Sequence, residues 1–364
     1  MSEKRIFNFS PGPSMLPLEV LEICAHDMTN YRGSGMSVME MSHRSKIYIE
    51  IFENTRDKLR EMMSIPENYE ILFLQGGATT QFASVPMNLM GLRDGKKADY
   101  AVTGHFAKHA TEEAKKYGQI HVAFSGEAEN FARIPEQSEL DLSPDASYFH
   151  LCVNNTVYGT LWHYVPDTNG VPIAADLSSC ILSEPVDVSK FGLIYAGAQK
   201  NMGPAGLTVV IVRRDLMGHA FPFTPTILDY EKMAKSGSMY NTPATYAVYV
   251  HSLVLDWMKS LGGLSGMQKL NREKAKILYD ALDECPLYTP TADKKSRSIM
   301  NVTFRARSEE LDAKFIKEAS LLGLMNLKGY RSVGGMRASI YNAMPVEGVV
   351  LLSKFIRQFA SENQ

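Results

Sequence analysis

A chain of 364 residues is longer than one small core needs and reads as about two domains. With 45% hydrophobic and 21% charged residues it has the make-up of a soluble globular protein, and 38 basic against 40 acidic residues leave a net charge of -2. That balance excludes a general affinity for nucleic acid or an acidic membrane surface, so any basic groups that matter act locally.

The four cysteines, Cys24, Cys152, Cys180 and Cys285, lie far apart with no CxxC pair. This argues against a zinc site or a disulfide framework and fits a reducing compartment. Residues 1–13 hold no apolar core flanked by a basic start and do not read as a signal peptide. No stretch approaches the roughly 18 apolar residues that cross a bilayer. A cytoplasmic, non-membrane protein is expected.

In chain order, Ser42 reads as the cap of a helix running to about Met63, with Ile47, Ile51, Phe52, Leu59 and Met62 on its apolar face. From Glu70 to Arg213, short β-rich runs alternate with helical ones. Strands are expected over residues 71–74, 100–103, 120–124, 148–153, 172–175, 193–196 and 207–212, with helices such as 79–90 and 105–117 between them. Continuously apolar runs such as ADYAV, LIYA and LTVVIV suit a sheet buried on both faces. The result is an α/β domain with a mostly parallel sheet, whose ligands sit at the carboxyl ends of its strands. Pro243 opens a long helical stretch through Trp257, closed by Gly262 and Gly263. From Gly266 the texture changes: a helix to about 284, a strand over 300–304, a helix over 309–322, a strand over 337–341 and a last helix from 346. That is an α+β second domain. No internal repeat and no low-complexity tract occurs.

Three pieces carry chemistry. In FGLIYAGAQKNMGPAG an apolar strand ends and Lys200 follows in a glycine-rich turn. An amine just past a buried strand is partly desolvated, which lowers its pKa and favours a Schiff base. Alone, it reads better as a solvated lysine in a turn. In VPIAADLSS a second apolar strand ends on Asp176, 24 residues before Lys200, so both can face one cleft. A carboxylate there suits a pyridinium nitrogen, although Asp176 alone could cap a helix. In LQGGATTQ a strand runs into two glycines and a helix with hydroxyls in its first turn, which offers backbone N–H groups and a positive dipole end to a phosphate. That turn could also be no more than a tight connection, and it matches neither GxxxxGK[ST] nor GxGxxG. His105 and His109 are spaced to share a metal but have no third ligand nearby, so no metal is expected. The 20 methionines are spread through the chain and read as core filling.

Taken together, FNFSPGP, SVMEMSHRS, QGGATTQF, AADLSS, YAGAQKNMGPAGLT, GSMYNTPATY and GGMRASIYNAMP resemble the phosphoserine aminotransferases, class-V pyridoxal-phosphate enzymes of fold type I. The likeness runs from Phe7 to the last helix. AGAQKN-GPAG and GGMRASIYNA are particular to that family.

The resemblance implies a large domain with a mostly parallel seven-stranded sheet over residues 16–265, a smaller α+β C-terminal domain over 266–364, and an N-terminal segment, 1–15, packing with the smaller one. It implies pyridoxal 5'-phosphate as cofactor. Lys200 would carry it and shuttle the α-proton, Asp176 would pair with the ring nitrogen and Phe106 would stack on the ring. Thr156 would sit on the side of the phenolic oxygen, Ala78, Thr79 and Gln199 would cup the phosphate, and Asn241 and Thr242 would reach it from the partner subunit of a homodimer with shared sites. His43, Arg44, Arg331 and Arg337 would bind the substrate's two anions, with Arg337 on the α-carboxylate.

The implied reaction transfers the amino group of L-glutamate to 3-phosphohydroxypyruvate, giving O-phospho-L-serine and 2-oxoglutarate. It is a step of serine synthesis, and bacterial members also serve pyridoxine synthesis. Two departures stand out: Ala78, Thr79 and Thr80 lie where some members carry arginine, and Tyr330 precedes Arg331 where many carry histidine. Other readings are a different fold-type I aminotransferase, such as an alanine–glyoxylate aminotransferase, and a dinucleotide-binding oxidoreductase. The missing GxGxxG opposes the second.

Overall fold

The computed structural model describes residues 5–363, so residues 1–4 of the N-terminal segment lie outside it. Its centre is a seven-stranded sheet in the order Tyr69–Leu74, Thr208–Arg213, Leu193–Gly197, Ile173–Asp176, Phe149–Cys152, Lys97–Val102 and Gln119–Ser125. Only Thr208–Arg213 runs antiparallel to its neighbours. Each strand lies within a residue or two of an expected run, apart from Lys97–Val102, which starts three residues early. Burial explains this legibility. The inner strands are apolar on both faces, as Phe149–Cys152, Ile173–Asp176 and Leu193–Gly197 are buried throughout. The edge strand Gln119–Ser125 departs from that pattern, with only Ala123 buried.

One apolar cluster packs a face of the sheet against the helices Lys46–Met63 and Thr245–Ser260. Another packs the opposite face against Gly77–Leu89 and His105–Ala114. A third core gathers Phe304, Phe315, Met336, Phe355 and Phe359 around the three-stranded sheet Thr289–Pro290, Asn301–Arg305, Met336–Ser339. Phe9 and Met15 belong to this third core, and Phe7–Asn8 pairs in parallel with Leu324–Met325. The helix Gly263–Asp283 joins the cores, burying Leu264 and Met267 in the first and Ala275, Leu278 and Leu282 in the third.

Two expectations need correction. The helix Lys46–Met63 is capped by Ser45, whose Oγ accepts from Tyr48 N at 3.3 Å, whereas Ser42 Oγ accepts from Arg44 N in the turn before it. Both are serines within one turn of the same apolar run, so composition does not separate them. Ile47, in the first helical turn, is 41% exposed and lies outside the core that takes Ile51, Phe52 and Leu59.

Candidate active site

Parallel strands deliver their carboxyl ends to one edge of the sheet. Register fixes which residues meet there: Asp176 lies opposite Cys152 on one side and Tyr195 on the other. A cavity of about 460 Å³ opens at this edge, lined among others by Ala78, Thr79, Phe106, Thr156, Asp176, Gln199, Lys200, Tyr330 and Arg337.

Lys200 follows the strand Leu193–Gly197 in a turn closed by bonds from Met202 N and Gly203 N to Ala198 O. Its Nζ donates to Thr156 Oγ1 at 3.0 Å and stands 5.6 Å from the centre of the Phe106 ring. The N-terminal segment crosses in front of it. Ser14 Oγ donates to Lys200 O (2.5 Å) and Ser14 N to Gln199 O (3.0 Å). Gly12 has φ +133°, and a Cβ there would come to 3.2 Å from Lys200 Cγ. A side chain at residue 12 would therefore crowd the lysine.

Asp176 ends a fully buried strand and accepts from Ser178 N at 2.8 Å. Burial pushes its carboxyl above the usual carboxylate range, against the pull of the Ser178 hydrogen bonds and the Lys200 charge. A carboxylate this dry gains most from a cation placed beside it.

The helix Gly77–Leu89 opens on the cavity with no side-chain cap. Gly76, at φ +95°, turns the chain into it, and a Cβ there would strike the Thr80 side chain, whose hydroxyl donates to Gly76 O at 2.8 Å. The first-turn N–H groups and the helix dipole are thus left for an anion.

Arg337, on the strand Met336–Ser339, is 5% exposed, lines the cavity, and its Nε has no partner among the described residues. Burial pulls its pKa below the ordinary guanidinium value. A guanidinium is a rigid fork of donors, and one held dry beside a cavity suits a carboxylate.

The remaining expected residues stand elsewhere. Asn241 lines an adjoining cavity of about 270 Å³ that shares Gly76, and its Nδ2 donates to Gln75 Oε1 at 3.5 Å. Thr242 is exposed, and its carbonyl accepts from Gln75 Nε2 at 3.0 Å. His43 is half-buried and Arg44 exposed, and neither lines the Lys200 cavity. Arg331 is exposed and lines a neighbouring cavity with Arg305, Lys317 and Lys328. Tyr330 lines both cavities and hydrogen-bonds His105 Nε2 at 3.1 Å. His105 and His109 do meet, with ring centres 4.1 Å apart, but among the described residues no three His, Cys, Asp or Glu side chains gather to hold a metal.

Sequence reasoning missed Pro11, Gly12 and Asn154, which also line the cavity. SPGP was visible as a motif without a role. Asn154 carried no signal, since its partners Ser179 (2.7 Å) and Asn301 (2.8 Å) are remote in sequence.

This edge, with its amine, buried carboxylate and free guanidinium, is the layout of an aminotransferase. Residues 6–352 match the class-V aminotransferase family, and the chain belongs to that family. Within it the chain is similar to the phosphoserine aminotransferase of Bacillus cereus, 51% identical over 361 residues, which cover 99% of this chain and 100% of that one. Among solved structures, the phosphoserine aminotransferase of Bacillus circulans subsp. alkalophilus superposes with a TM-score of 0.97 at 46% identity, covering 100% of both chains. The pyridoxal-phosphate-bound phosphoserine aminotransferase of Trichomonas vaginalis gives 0.93 at 39% identity, over 97% of this chain and 100% of that one.

Proposed function

We propose that this chain is a pyridoxal-phosphate-dependent transaminase that moves the amino group of L-glutamate to 3-phosphohydroxypyruvate, giving O-phospho-L-serine and 2-oxoglutarate. The observation that carries this reading is one cavity holding the Lys200 amine, the buried Asp176 carboxylate and the unpartnered Arg337 guanidinium.

The residues present fit the cofactor. Ala78 and Thr79 at the uncapped helix start, with Gln199, suit its phosphate; Phe106 suits its ring; Asp176 suits its nitrogen; Thr156 and Lys200 suit its oxygen and aldehyde side. When bound, pyridoxal phosphate supplies the electron sink that acidifies an amino acid's Cα–H bond. Arg337 binds the α-carboxylate that donor and acceptor share, and so sets how the α-carbon of either substrate stands toward Lys200. Asp176 holds a negative charge where positive charge must persist. Lys200 Nζ accepts the Cα proton and returns it, a transfer that Thr156 steadies by holding the amine.

A homodimer with shared sites belongs to this reading. Leu18, Leu21, Met36, Met39, Ile47 and Ile49 are each 37–55% exposed, apolar area that a second copy would bury. Asn241 and Thr242, outside their own chain's cavity, would serve the partner's. Its four cysteines are free, and no described helix is long and apolar enough to cross a membrane, which suits a cytoplasmic enzyme.

The test is a coupled assay with glutamate and phosphohydroxypyruvate, with glyoxylate as rival acceptor. A far higher kcat/KM for phosphohydroxypyruvate is expected, and borohydride reduction should fix the cofactor to Lys200. Preference for glyoxylate, or label on another lysine, would refute the assignment. Lys200→Ala should abolish turnover while leaving the fold intact, read by circular dichroism beside the assay.

A further inference from the structure

Away from the cavity, Lys274 is fully buried on the helix Gly263–Asp283 and pairs with no carboxylate among the described residues. Its Nζ faces four backbone carbonyls instead: Ile340 at 3.0 Å, Tyr341 at 2.8 Å, Asn342 at 3.4 Å and Met344 at 3.2 Å. A neutral amine would turn its lone pair on a carbonyl, whereas an ammonium has three N–H bonds to give and nothing to repel. Burial pulls the pKa of Lys274 down to about 7, and the four inward dipoles oppose it. A ring of carbonyl oxygens is also how proteins replace the water around a small monovalent cation.

The turn that forms the cage has three attachments to the candidate site. On one side it continues the strand Met336–Ser339, which carries Arg337. On the other, Asn342 N donates to Asn201 Oδ1 at 3.0 Å, one residue from Lys200. Asn271, one helical turn from Lys274, donates from Nδ2 to Asn342 Oδ1 (2.8 Å) and to Ser183 O (2.9 Å). Tyr341 Oη donates to Pro11 O, on the cavity wall, at 2.8 Å.

We propose that Lys274 is a positioning residue for transamination, a tethered cation that gathers the carbonyls of residues 340–344 and, through that turn, sets where Arg337 and Lys200 stand. The proposal rests on the function proposed above. Its ligand chemistry is that of a small monovalent cation, which Lys274 supplies from within the chain.

The test compares Lys274→Ala, which leaves the cage open, with Lys274→Met, which fills it without charge. In the holoenzyme, Lys274→Ala should raise KM for glutamate by about ten- to a hundredfold, the scale of a misplaced clamp, with a smaller change in kcat. Potassium or methylammonium should restore it, N-methylglucamine should not, and Lys274→Met should respond to none of them. Wild-type KM in both variants would overturn the proposal. So would a lowered thermal midpoint, rescued by potassium, with KM unmoved, because the cage would then hold the fold alone. Should Lys274→Ala not accumulate, its refolding yield in potassium against N-methylglucamine reads the cage, and equal yields would overturn it. The thermal and refolding readouts need no substrate, so a failure of the cage is distinguishable from a wild-type chain that does not transaminate.

Discussion

Asp176 and Arg337 face the same difficulty, a charge kept out of water, and answer it differently. Asp176 has one backbone donor within reach and a carboxyl pushed upward by burial, while Arg337 keeps an unpartnered Nε and is pushed downward. Each is therefore stabilised by an opposite charge arriving in the cavity. Asp176→Asn removes that response, so pyridoxal phosphate should still bind while kcat falls by roughly a hundredfold or more, as loss of an electrostatic partner at a reacting centre does. An unchanged kcat would show that Asp176 does not touch the cofactor. Arg337→Gln should raise KM for both glutamate and phosphohydroxypyruvate. Arg331 makes the contrasting case. It is exposed beside a second cavity, and Tyr330, which stands next to it, is the residue that reaches the first. If Arg331 takes the phosphate, Arg331→Ala removes a charge-assisted bond of about 1.5–3 kcal/mol, ten- to a hundredfold in kcat/KM, for phosphohydroxypyruvate alone. Equal damage to glutamate would move the phosphate contact to His43 and Arg44.

Among the elements, the helix Gly77–Leu89 depends on one backbone torsion. Gly76 at φ +95° allows the uncapped first turn to face the cavity, and an alanine there meets both a strained torsion and the Thr80 side chain. Gly76→Ala should weaken binding of pyridoxal phosphate, measured by titrating the apoenzyme; unaltered affinity would mean that this turn does not hold the phosphate. The same scale explains what could be read in advance. Strands buried on both faces announce themselves as apolar runs, so the sheet and the strand-end positions of Asp176 and Lys200 were legible. Helix starts were less so, because Ser42 and Ser45 offer the same chemistry three residues apart. Least legible were contacts closed across the fold. Ser14 reaches Lys200 over 186 residues, and Asn154 meets Asn301 over 147. Neither local pattern nor period registers such pairs. His43 and Arg44, adjacent in sequence to the helix Lys46–Met63, stand outside the Lys200 cavity, and local pattern does not register that either.

At the scale of the molecule, two buried histidines tie the stability of the large sheet to pH. His150 lies flat against Tyr100 with ring centres 4.6 Å apart, and its Nε2 is 2.9 Å from Tyr195 Oη. His251 donates from Nδ1 to Met202 O at 2.9 Å, directly behind the turn that carries Lys200. Burial pulls their pKa values down to about 3 and about 4, respectively. Both are therefore neutral in the fold near neutrality, while an unfolded chain protonates them near pH 6.5. The sign follows: above about 6.5 neither state takes a proton, and as pH falls toward 4 the unfolded chain binds protons that the fold refuses. Their contribution is thus complete above pH 6.5 and is lost on acidification, at about 1.4 kcal/mol per pH unit for each histidine. Asp176, whose carboxyl is raised, has the opposite sign, but its window starts at the ordinary carboxylate value. Urea unfolding at fixed protein concentration between pH 6.5 and 4.5 should show stability falling by about 2.7 kcal/mol per unit from the pair, beyond the carboxylate contribution. His251→Leu keeps the volume near Phe73 and removes one of the two protons. Whatever it costs at pH 7, it should lower that slope by about half the pair's share, about 1.4 kcal/mol per unit. An unchanged slope would mean that His251 takes a proton without unfolding, and the turn behind Lys200 would then open in mild acid before the rest of the sheet.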